Sequence, residues 1–336
     1  MLRERDSVSP CLSLIYTKAG VLTMKNVLVS QPLHEAAMEK LYNQHNVFMP
    51  VPYGQETFEA LLPKADGMIL RNNVVITERV LKTARNLKII CRTGAGLDNI
   101  PLQAARDMGI IVTNTPDANS ISVAEHAVAL ILALSKFLPR YEKEARGGNW
   151  EIRQSFMPFE LYGKTAGIVG LGRTGRIAAQ ILHDGFHMNI VAYGPSVDPS
   201  KYPAYTIAKT VEEVFTESDV VSMHCPSTDA TRGMVNASLL NQAKPGLLFI
   251  NCARGNIVVE NDLVAALQSG QVAAAGLDVV SPEPIAPDSP LLKLDNVILT
   301  PHSAALTKEA SVRMFDTAVE QLNAYFSGNM PNDIVK

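Results

Sequence analysis

The chain has 336 residues, of which 47% are hydrophobic and 19% are charged, and its formal net charge at neutral pH is −3. This length and composition are typical of a globular protein with room for two domains. The slightly negative charge argues against nucleic acid or an anionic membrane as a partner.

Targeting, redox and metal-binding signals are sparse. The four cysteines form neither a C-x-x-C pair nor a metal-ligand cluster, which predicts a reduced, cytoplasmic protein without a metal site. No uncharged apolar run reaches about 18 residues, so no membrane span is predicted. Residues 1–23 are expected to be a loosely held extension, because the first predicted strand begins in "MKNVLVS" at Met24.

From Met24 onward, short apolar runs alternate with helical segments. The first predicted strands are "NVLVS", "ADGMILR", "LKIICRTG" and "IIVTN". This alternation is typical of a parallel sheet with crossover helices. The next segment, "SVAEHAVALILALSKFLPRYEKEA", is predicted to be one long helix. Its start is apolar almost all round, so it should be buried between domains or in a subunit interface.

A second series of strands follows this long helix. These strands are "TAGIVG", "NIVAYG", "DVVSMH", "LLFINC", "VAAAGLDVV" and "NVILTPH". Their continuous apolar character suits a parallel sheet that is covered on both faces. A last helix, at about 307–327, has no later strand in this series to pair with, and we expect it to return to the first domain.

Three glycines, Gly170, Gly172 and Gly175, have the spacing G-x-G-x-x-G between a predicted strand and a predicted helix. In this context the first allows a tight turn, the second lets the backbone approach a pyrophosphate, and the third allows close packing of helix on strand. The helix N-terminus offers the amides of Arg173 and Thr174 to an anion. The loop therefore predicts a dinucleotide cofactor.

The acid that binds the ribose 2′-hydroxyl in such loops normally ends the next strand. Gly194 stands at that position, and Asp198 lies four residues further on. NAD(H) is favoured as the cofactor, while NADP(H) stays open because Gly194 cannot repel a 2′-phosphate.

A hydride-transfer site needs an acid/base group that titrates near neutrality, which favours histidine. Of the seven histidines, His224 and His302 follow predicted strands, at the edge where ligands bind in such sheets. His126 lies inside the long apolar helix, where we expect it to be a core residue.

Three further stretches, "INCARGNIV", "GLDVVSPEP" and "LTPHSAA", each follow a predicted strand at this same edge. They supply Arg254, Glu283 and His302. Arginine can hold a 2-oxo acid through a bidentate contact, and a glutamate bonded to histidine fixes the imidazole tautomer. Together they predict a site for 2-oxo acid chemistry.

Several motifs resemble the D-isomer-specific 2-hydroxyacid dehydrogenases, a family that includes phosphoglycerate dehydrogenase and hydroxypyruvate/glyoxylate reductase. The resemblance covers nearly the whole chain from Met24, and it is carried by "RTGAGLDNI", "NTPDANSISVAEHA", "ELYGKTAGIVGLGRTGR", "HCPST", "NCARG", "GLDV", "PEP" and "PHSA". It implies that His302 transfers the proton, Glu283 orients and tunes it, and Arg254 binds the substrate.

The resemblance also implies which residues contact the substrate and the cofactor. The backbone amides expected to bind the substrate carboxylate are those of Gly94, Ala95 and Gly96. The residues expected to line the cofactor cleft are Cys225, Pro226, Cys252 and Ala253. The residues expected near the nicotinamide are Asp278, Ser122 and Val123. His224 is expected to provide packing or polar support.

The implied fold is two Rossmann-like or flavodoxin-like α/β domains with helices on both faces of parallel sheets. A discontinuous substrate-binding domain would comprise residues 24–121 and 305–336, and a nucleotide-binding domain residues 122–304. A homodimer would form around the nucleotide-binding domain, with Trp150 and the long helix at the interface. Since the chain ends at residue 336, the C-terminal regulatory domain of some phosphoglycerate dehydrogenases is not expected.

The sequence thus predicts an NAD(P)-dependent oxidoreductase that transfers hydride between the nicotinamide and a short D-2-hydroxy acid or 2-oxo acid. Arg71 is placed on the substrate side, where phosphoglycerate dehydrogenases often carry basic residues. Phosphoglycerate, hydroxypyruvate and glyoxylate all stay open as substrates. The alternative is a nucleotide-sensing, corepressor-like binding protein of the same fold family.

Overall fold

The computed structural model describes Tyr16–Thr17, Gly20–Val21 and residues 24–155 and 157–335. The chain divides into two compact units. The first comprises the described residues within Met1–Thr115 and Met314–Lys336, and the second comprises those within Pro116–Arg313. These boundaries, after Thr115 and Arg313, differ by six and nine residues from the predicted domain limits at 121/122 and 304/305. The prediction for residues 1–23 lies outside the described residues, apart from two short strands, β1 (Tyr16–Thr17) and β2 (Gly20–Val21), which pair antiparallel.

The first unit is built on a five-stranded parallel sheet. Its strands are β3 (Lys25–Val29), β4 (His45–Phe48), β5 (Gly67–Leu70), β6 (Ile89–Arg92) and β7 (Ile111–Thr113). Its helices within the first stretch of chain are α1 (Glu35–Tyr42), α2 (Gln55–Leu61), α3 (Glu78–Leu81) and α4 (Leu102–Asp107). The strand order is β4-β3-β5-β6-β7, with every neighbouring pair parallel. This is the flavodoxin-like order.

Burial explains why the strands of this sheet are apolar along their length. All four residues of β5 are buried, as are Ile89, Ile90 and Cys91 of β6. A strand covered on both faces cannot alternate apolar and polar side chains, so it appears as a continuous apolar run. The sequence prediction missed the half-exposed strand β4 and the short helix α2, which have no such run.

The second unit is built on a seven-stranded parallel sheet. Its strands are β8 (Thr165–Val169), β9 (Asn189–Tyr193), β10 (Thr206–Ile207), β11 (Val220–Met223), β12 (Leu247–Asn251), β13 (Val272–Leu277) and β14 (Val297–Leu299). Among the described residues, the later α-helices are α5 (Ser120–Ser135), α6 (Leu138–Arg146), α7 (Arg173–Gln180), α8 (Val211–Glu217), α9 (Ala237–Gln242), α10 (Glu260–Ser269) and α11 (Lys308–Phe326). Most of α11 belongs to the first unit.

The strand order in this sheet is β10-β9-β8-β11-β12-β13-β14. From β8 the chain first adds strands on one side and then returns to add β11 to β14 on the other. This is the Rossmann arrangement, in which ligands bind beyond the carboxyl ends of the strands where the order reverses. The prediction of two α/β domains with parallel sheets is confirmed.

The segment predicted as one long helix is two helices. α5 ends at Ser135 and α6 begins at Leu138, with an angle of 56° between them. Phe137 at the break has a left-handed φ of 52°, and Pro139 follows in the first turn of α6. Proline has no amide hydrogen to bond to the carbonyl four residues back, so it starts a helix more readily than it continues one.

The helices of the described residues give little indication of a membrane span. No single helix there is both long and apolar enough to cross a bilayer, and only the bent pair α5 and α6 satisfies the length and composition together. Buried core helices satisfy the same criteria, and nine residues of α5 are buried.

The contact between β8 and α8 depends on a glycine. A Cβ at Gly167 would lie 2.6 Å from Cγ1 of Val214, which is fully buried, and 2.5 Å from Oγ of Ser218. We expect Gly167→Ala to lower the free energy of unfolding by about 1–3 kcal/mol, as overpacking does. Thermal melting of the purified protein measures the change.

The matched control is Gly185→Ala. A Cβ there has no atom within 4 Å and Gly185 has no positive φ, so alanine should leave the melting temperature unchanged or raise it. Equal melting temperatures for the two variants would contradict the packing argument.

Candidate active site

The glycine loop joins β8 to α7, and packing explains two of its three glycines. Gly170 has a φ of +100°, and a Cβ there would lie 2.6 Å from the amide nitrogen of Cys225. A Cβ at Gly175 would lie 2.1 Å from the carbonyl oxygen of Gly170. No side chain larger than hydrogen fits at either position, so both glycines are required by the fold.

Gly172 differs from the other two glycines. A Cβ at this position would have no protein atom within 4 Å, and no described side chain caps the helix that follows. The first amides of α7, including those of Arg173 and Thr174, have no partner within the helix. The open space and the uncapped amides fit a pyrophosphate. The guanidinium of Arg173 pairs with Asp117 beside this turn.

The end of β9 carries no acid. Gly194 follows the strand, and its carbonyl accepts a hydrogen bond from the amide of Val197. Asp198 Oδ1 accepts hydrogen bonds from the amide (3.1 Å) and the hydroxyl (2.7 Å) of Ser200. These bonds lower the pKa of Asp198. Its carboxylate is therefore engaged in capping a local turn.

The predicted cofactor-lining residues follow β11 and β12. Cys252 and Ala253 are buried, Cys225 is half-buried and Pro226 is exposed. Burial raises the pKa of the Cys225 thiol to about 11 and also raises that of Cys252. Both thiols are therefore neutral at physiological pH and are not nucleophiles.

His224 and His302 lie in different surroundings. Burial lowers the pKa of His224 to about 4, and its Nε2 lies 2.9 Å from the hydroxyl of Ser222. A histidine that stays neutral across the physiological range is a poor proton donor. His302 is more than a third exposed, and its Nδ1 lies 2.7 Å from Oε2 of Glu283, which is exposed to the same degree. This contact leaves Nε2 of His302 for a ligand.

Arg254 lies in a turn directly after β12 that is shaped by Asn251. The fully buried Asn251 accepts a hydrogen bond from the Ala253 amide (3.0 Å) and donates one to the Arg254 carbonyl (2.9 Å). Nη1 of Arg254 donates to the Ala253 carbonyl at 2.6 Å. A Cβ at Gly255 would lie 2.0 Å from the carbonyl of Val280, so the glycine allows this turn to lie against the chain that leaves β13.

Arg254, Glu283 and His302 thus follow three neighbouring strands, β12, β13 and β14. The structure joins Glu283 to His302 directly. It places Arg254 at the end of the adjacent strand, on the same sheet as the glycine loop.

The other predicted residues of the second unit are held by internal contacts. Ser122 is buried and lies 2.8 Å from the hydroxyl of Thr307, and Val123 packs on the core. Asp278 is 2% exposed. Its carboxylate accepts hydrogen bonds from the loop that carries His302, at 2.6–3.0 Å. The nicotinamide contacts of these three residues stay predictions.

The residues of the first unit that are predicted to bind substrate differ in burial and in their hydrogen-bond partners. Gly94 is buried and its amide already donates to Thr115 Oγ1 at 2.7 Å. Ala95 is exposed and Gly96 is half-buried, and the contact of their amides with a carboxylate stays a prediction. Nη1 of Arg71 donates to the Pro32 carbonyl at 2.8 Å, and burial lowers the pKa of this arginine.

Comparison with known proteins identifies the family of the chain. The sequence model of the family described as "D-isomer specific 2-hydroxyacid dehydrogenase, NAD binding domain" matches residues 128–304, just over half of the chain. The chain belongs to the D-isomer-specific 2-hydroxyacid dehydrogenase family. The match contains the glycine loop and the three residues Arg254, Glu283 and His302.

Relatives and solved structures of this family cover most of the chain. D-3-phosphoglycerate dehydrogenase of Archaeoglobus fulgidus is 41% identical over 86% of the chain, which spans 55% of that protein. The chain thus spans little more than half the length of this curated relative.

Two solved structures are similar along nearly their whole length. One is D-lactate dehydrogenase from Aquifex aeolicus with NAD and lactic acid, with a TM-score of 0.83, 29% identity, and coverage of 92% of this chain and 98% of that one. The other is an NADPH-dependent glyoxylate/hydroxypyruvate reductase from Sinorhizobium meliloti with NADP and malonate. Its TM-score is 0.81 at 30% identity, with coverage of 93% and 96%.

Sequence reasoning missed three residues around this site. Asn251 ends β12 and shapes the Arg254 turn. Thr300 and His126 lie beside Asp278, with His126 Nε2 3.0 Å from Thr300 Oγ1. The only signal in the sequence for Thr300 was its position directly before the "PHSA" motif that contains His302. His126 was expected to be a core residue; it is half-buried, and its ring contacts a polar group at the carboxyl end of β14.

The open position at Gly172 generates a test of the nucleotide loop. Gly172→Ala should fold normally, because its methyl group meets no protein atom. It should weaken binding of NADH about tenfold or more, equivalent to about 1.4 kcal/mol, because the methyl group occupies space next to the pyrophosphate. Fluorescence titration with NADH measures the affinity.

Gly185→Ala is again the control, since its added methyl group also meets no atom but lies at the far end of the helix. Unchanged NADH affinity in Gly172→Ala would remove the loop from the cofactor site.

Proposed function

We propose that this protein is a nicotinamide-dependent oxidoreductase that interconverts a short 2-oxo acid and the D-2-hydroxy acid. The observation that carries the proposal is the 2.7 Å contact between His302 and Glu283 beyond the carboxyl ends of the sheet that holds the glycine loop. This is an acid/base group with a carboxylate to fix its tautomer, at the edge where a dinucleotide fits.

In the reducing direction, each residue has one task. A bound reduced nicotinamide supplies the hydride. His302, as the imidazolium, donates the Nε2 proton to the carbonyl oxygen of the substrate. Glu283 accepts a hydrogen bond from Nδ1 and holds the ring in place while its charge changes. Arg254 anchors the carboxylate and polarises the carbonyl. In the oxidising direction, neutral His302 takes the proton from the hydroxyl group.

The substrate class is a small acid. The names of the curated relatives support D-3-phosphoglycerate, and the two solved structures support glyoxylate, hydroxypyruvate and lactate as alternatives. We propose that Ala95 and Gly96 donate to the carboxylate and that Arg71 recognises the distal end of the substrate. The enzyme names of these relatives support catalysis over a corepressor-like role.

We also propose a homodimer formed by the second unit. Large apolar side chains lie exposed between α5 and β8: Leu138 (54%), Trp150 (67%), Met157 (81%) and Tyr162 (73%). Apolar side chains this exposed in a single short stretch are typical of an interface. The proposed dimer is therefore the one predicted from the sequence, with the nucleotide-binding domain at the interface.

Steady-state turnover with NADH and a panel of 2-oxo acids tests the function. The panel contains 3-phosphohydroxypyruvate, hydroxypyruvate, glyoxylate and pyruvate. His302→Gln should lower kcat for the best substrate by about 10²-fold or more, the range of general acid catalysis, and should leave NADH affinity nearly unchanged. A variant that keeps most of its kcat would exclude His302 as the acid.

Cofactor preference has a separate test. Because Gly194 has no carboxylate and Asp198 is engaged with Ser200, we expect turnover with both NADH and NADPH, with NADH preferred. Gly194→Asp should raise KM for NADPH about tenfold or more, since a like charge would face the 2′-phosphate. A Cβ at Gly194 would lie 2.9 Å from Cγ2 of Val197, so the substitution is made together with Val197→Ala.

Val197→Ala alone is the control for this pair of changes and should behave as the wild type with both cofactors. If the wild type already rejects NADPH by about three orders of magnitude in kcat/KM, another group supplies the missing acid.

A further inference from the structure

The backbone at His302 is in a conformation that needs support. Its φ is 51°, in the left-handed region that side chains with a Cβ seldom adopt and that the surrounding structure must stabilise. The next residues, Ser303 and Ala304, complete the turn that leaves β14. This turn decides where the imidazole is placed relative to Glu283.

The buried residue Asp278 accepts hydrogen bonds from three consecutive amides of this turn, and the His302 amide also lies 3.0 Å from the Thr300 carbonyl. Its carbonyl accepts the His302 amide hydrogen bond at 2.8 Å. Its Oδ1 accepts from the Ser303 amide at 2.9 Å, and its Oδ2 accepts from the Ala304 amide at 3.0 Å. Hydrogen bonds to a buried carboxylate are stronger than neutral ones. The loop conformation therefore depends on the orientation of the Asp278 carboxylate.

Two further side chains determine that orientation. Oγ1 of Thr300 donates to Asp278 Oδ1 at 2.6 Å. Because a hydroxyl has one proton, Thr300 must accept from Nε2 of His126, which lies 3.0 Å away. The same Nε2 lies 3.6 Å from Asp278 Oδ1. The hydrogen bonds thus run from His126 on α5 through Thr300 to Asp278.

We propose that Thr300 and His126 are positioning residues for the acid/base group. By fixing the Asp278 carboxylate, they stabilise the left-handed turn at His302 and align its Nδ1 with Glu283. Neither is assigned a contact with substrate or cofactor. The inference rests on the proposed function, in which His302 transfers the proton.

A purely structural role would lower stability without changing the His302 ring. The diagnostic variant is Thr300→Val, which keeps the shape of the side chain and removes the hydroxyl, and Thr300→Ser is the rescue variant. Thr300→Val should lower kcat about tenfold to a hundredfold, as misplacement of a reacting group does. The KM for NADH should change less than about twofold, well below that kcat effect, and Thr300→Ser should retain most of the wild-type kcat.

The second readout is nitrogen NMR of the His302 ring in the full chain at a pH where the ring is neutral. In the wild type, the contact with Glu283 should keep the proton on Nδ1. Thr300→Val should lower the Nδ1-protonated fraction towards that of Glu283→Gln, the reference for a lost contact. Wild-type kcat together with a wild-type tautomer in Thr300→Val would overturn the proposal.

His126 provides an independent pair of variants should Thr300→Val fail to fold. His126→Gln keeps a donor near Thr300 and should retain most of the activity and the tautomer. His126→Phe has no donor and should reduce both kcat and the Nδ1-protonated fraction of His302. Wild-type values of both in this variant would exclude His126 as a positioning residue. If the wild type reduced none of the panel acids, the proposed function would fail, whereas the NMR comparison would still decide whether these residues orient His302.

Discussion

Parallel pairing of the seven strands in the second unit is the constraint on which the site depends. It brings the carboxyl ends of β8, β11, β12, β13 and β14 to one edge, so Gly170 and His302 lie at the same edge although they are more than a hundred positions apart in sequence. Because both faces of this sheet are covered, its central strands are buried along nearly their whole length. Arg254, Glu283 and His302 need only follow their strands to lie at this edge.

Close backbone approaches then shape the edge. Gly170, Gly175 and Gly255 each allow main-chain atoms to lie where a Cβ would stand. Gly172 is the exception, since a Cβ there would meet no protein atom within 4 Å. Within the glycine loop, packing therefore explains Gly170 and Gly175, and it does not explain Gly172.

Burial separates the histidines into different roles. Desolvation keeps His224 neutral, with its pKa near 4. His302 keeps access to solvent and contacts a carboxylate. His126 is half-buried, and its ring contacts the hydroxyl group of Thr300. The same side chain is therefore proposed to provide packing, proton transfer or positioning according to what surrounds it.

The sequence by itself determined the two parallel sheets, the glycine loop and the triad of Arg254, Glu283 and His302, because these depend on local apolar runs and on which residues follow them. The tertiary structure alone decided the break between α5 and α6, the use of the Gly94 amide by Thr115, and the contacts of His126. These depend on atoms brought together from distant parts of the chain, such as residues 126, 278 and 300. A periodic pattern records which side chains are buried, but it carries no information about which partner each buried polar group finds.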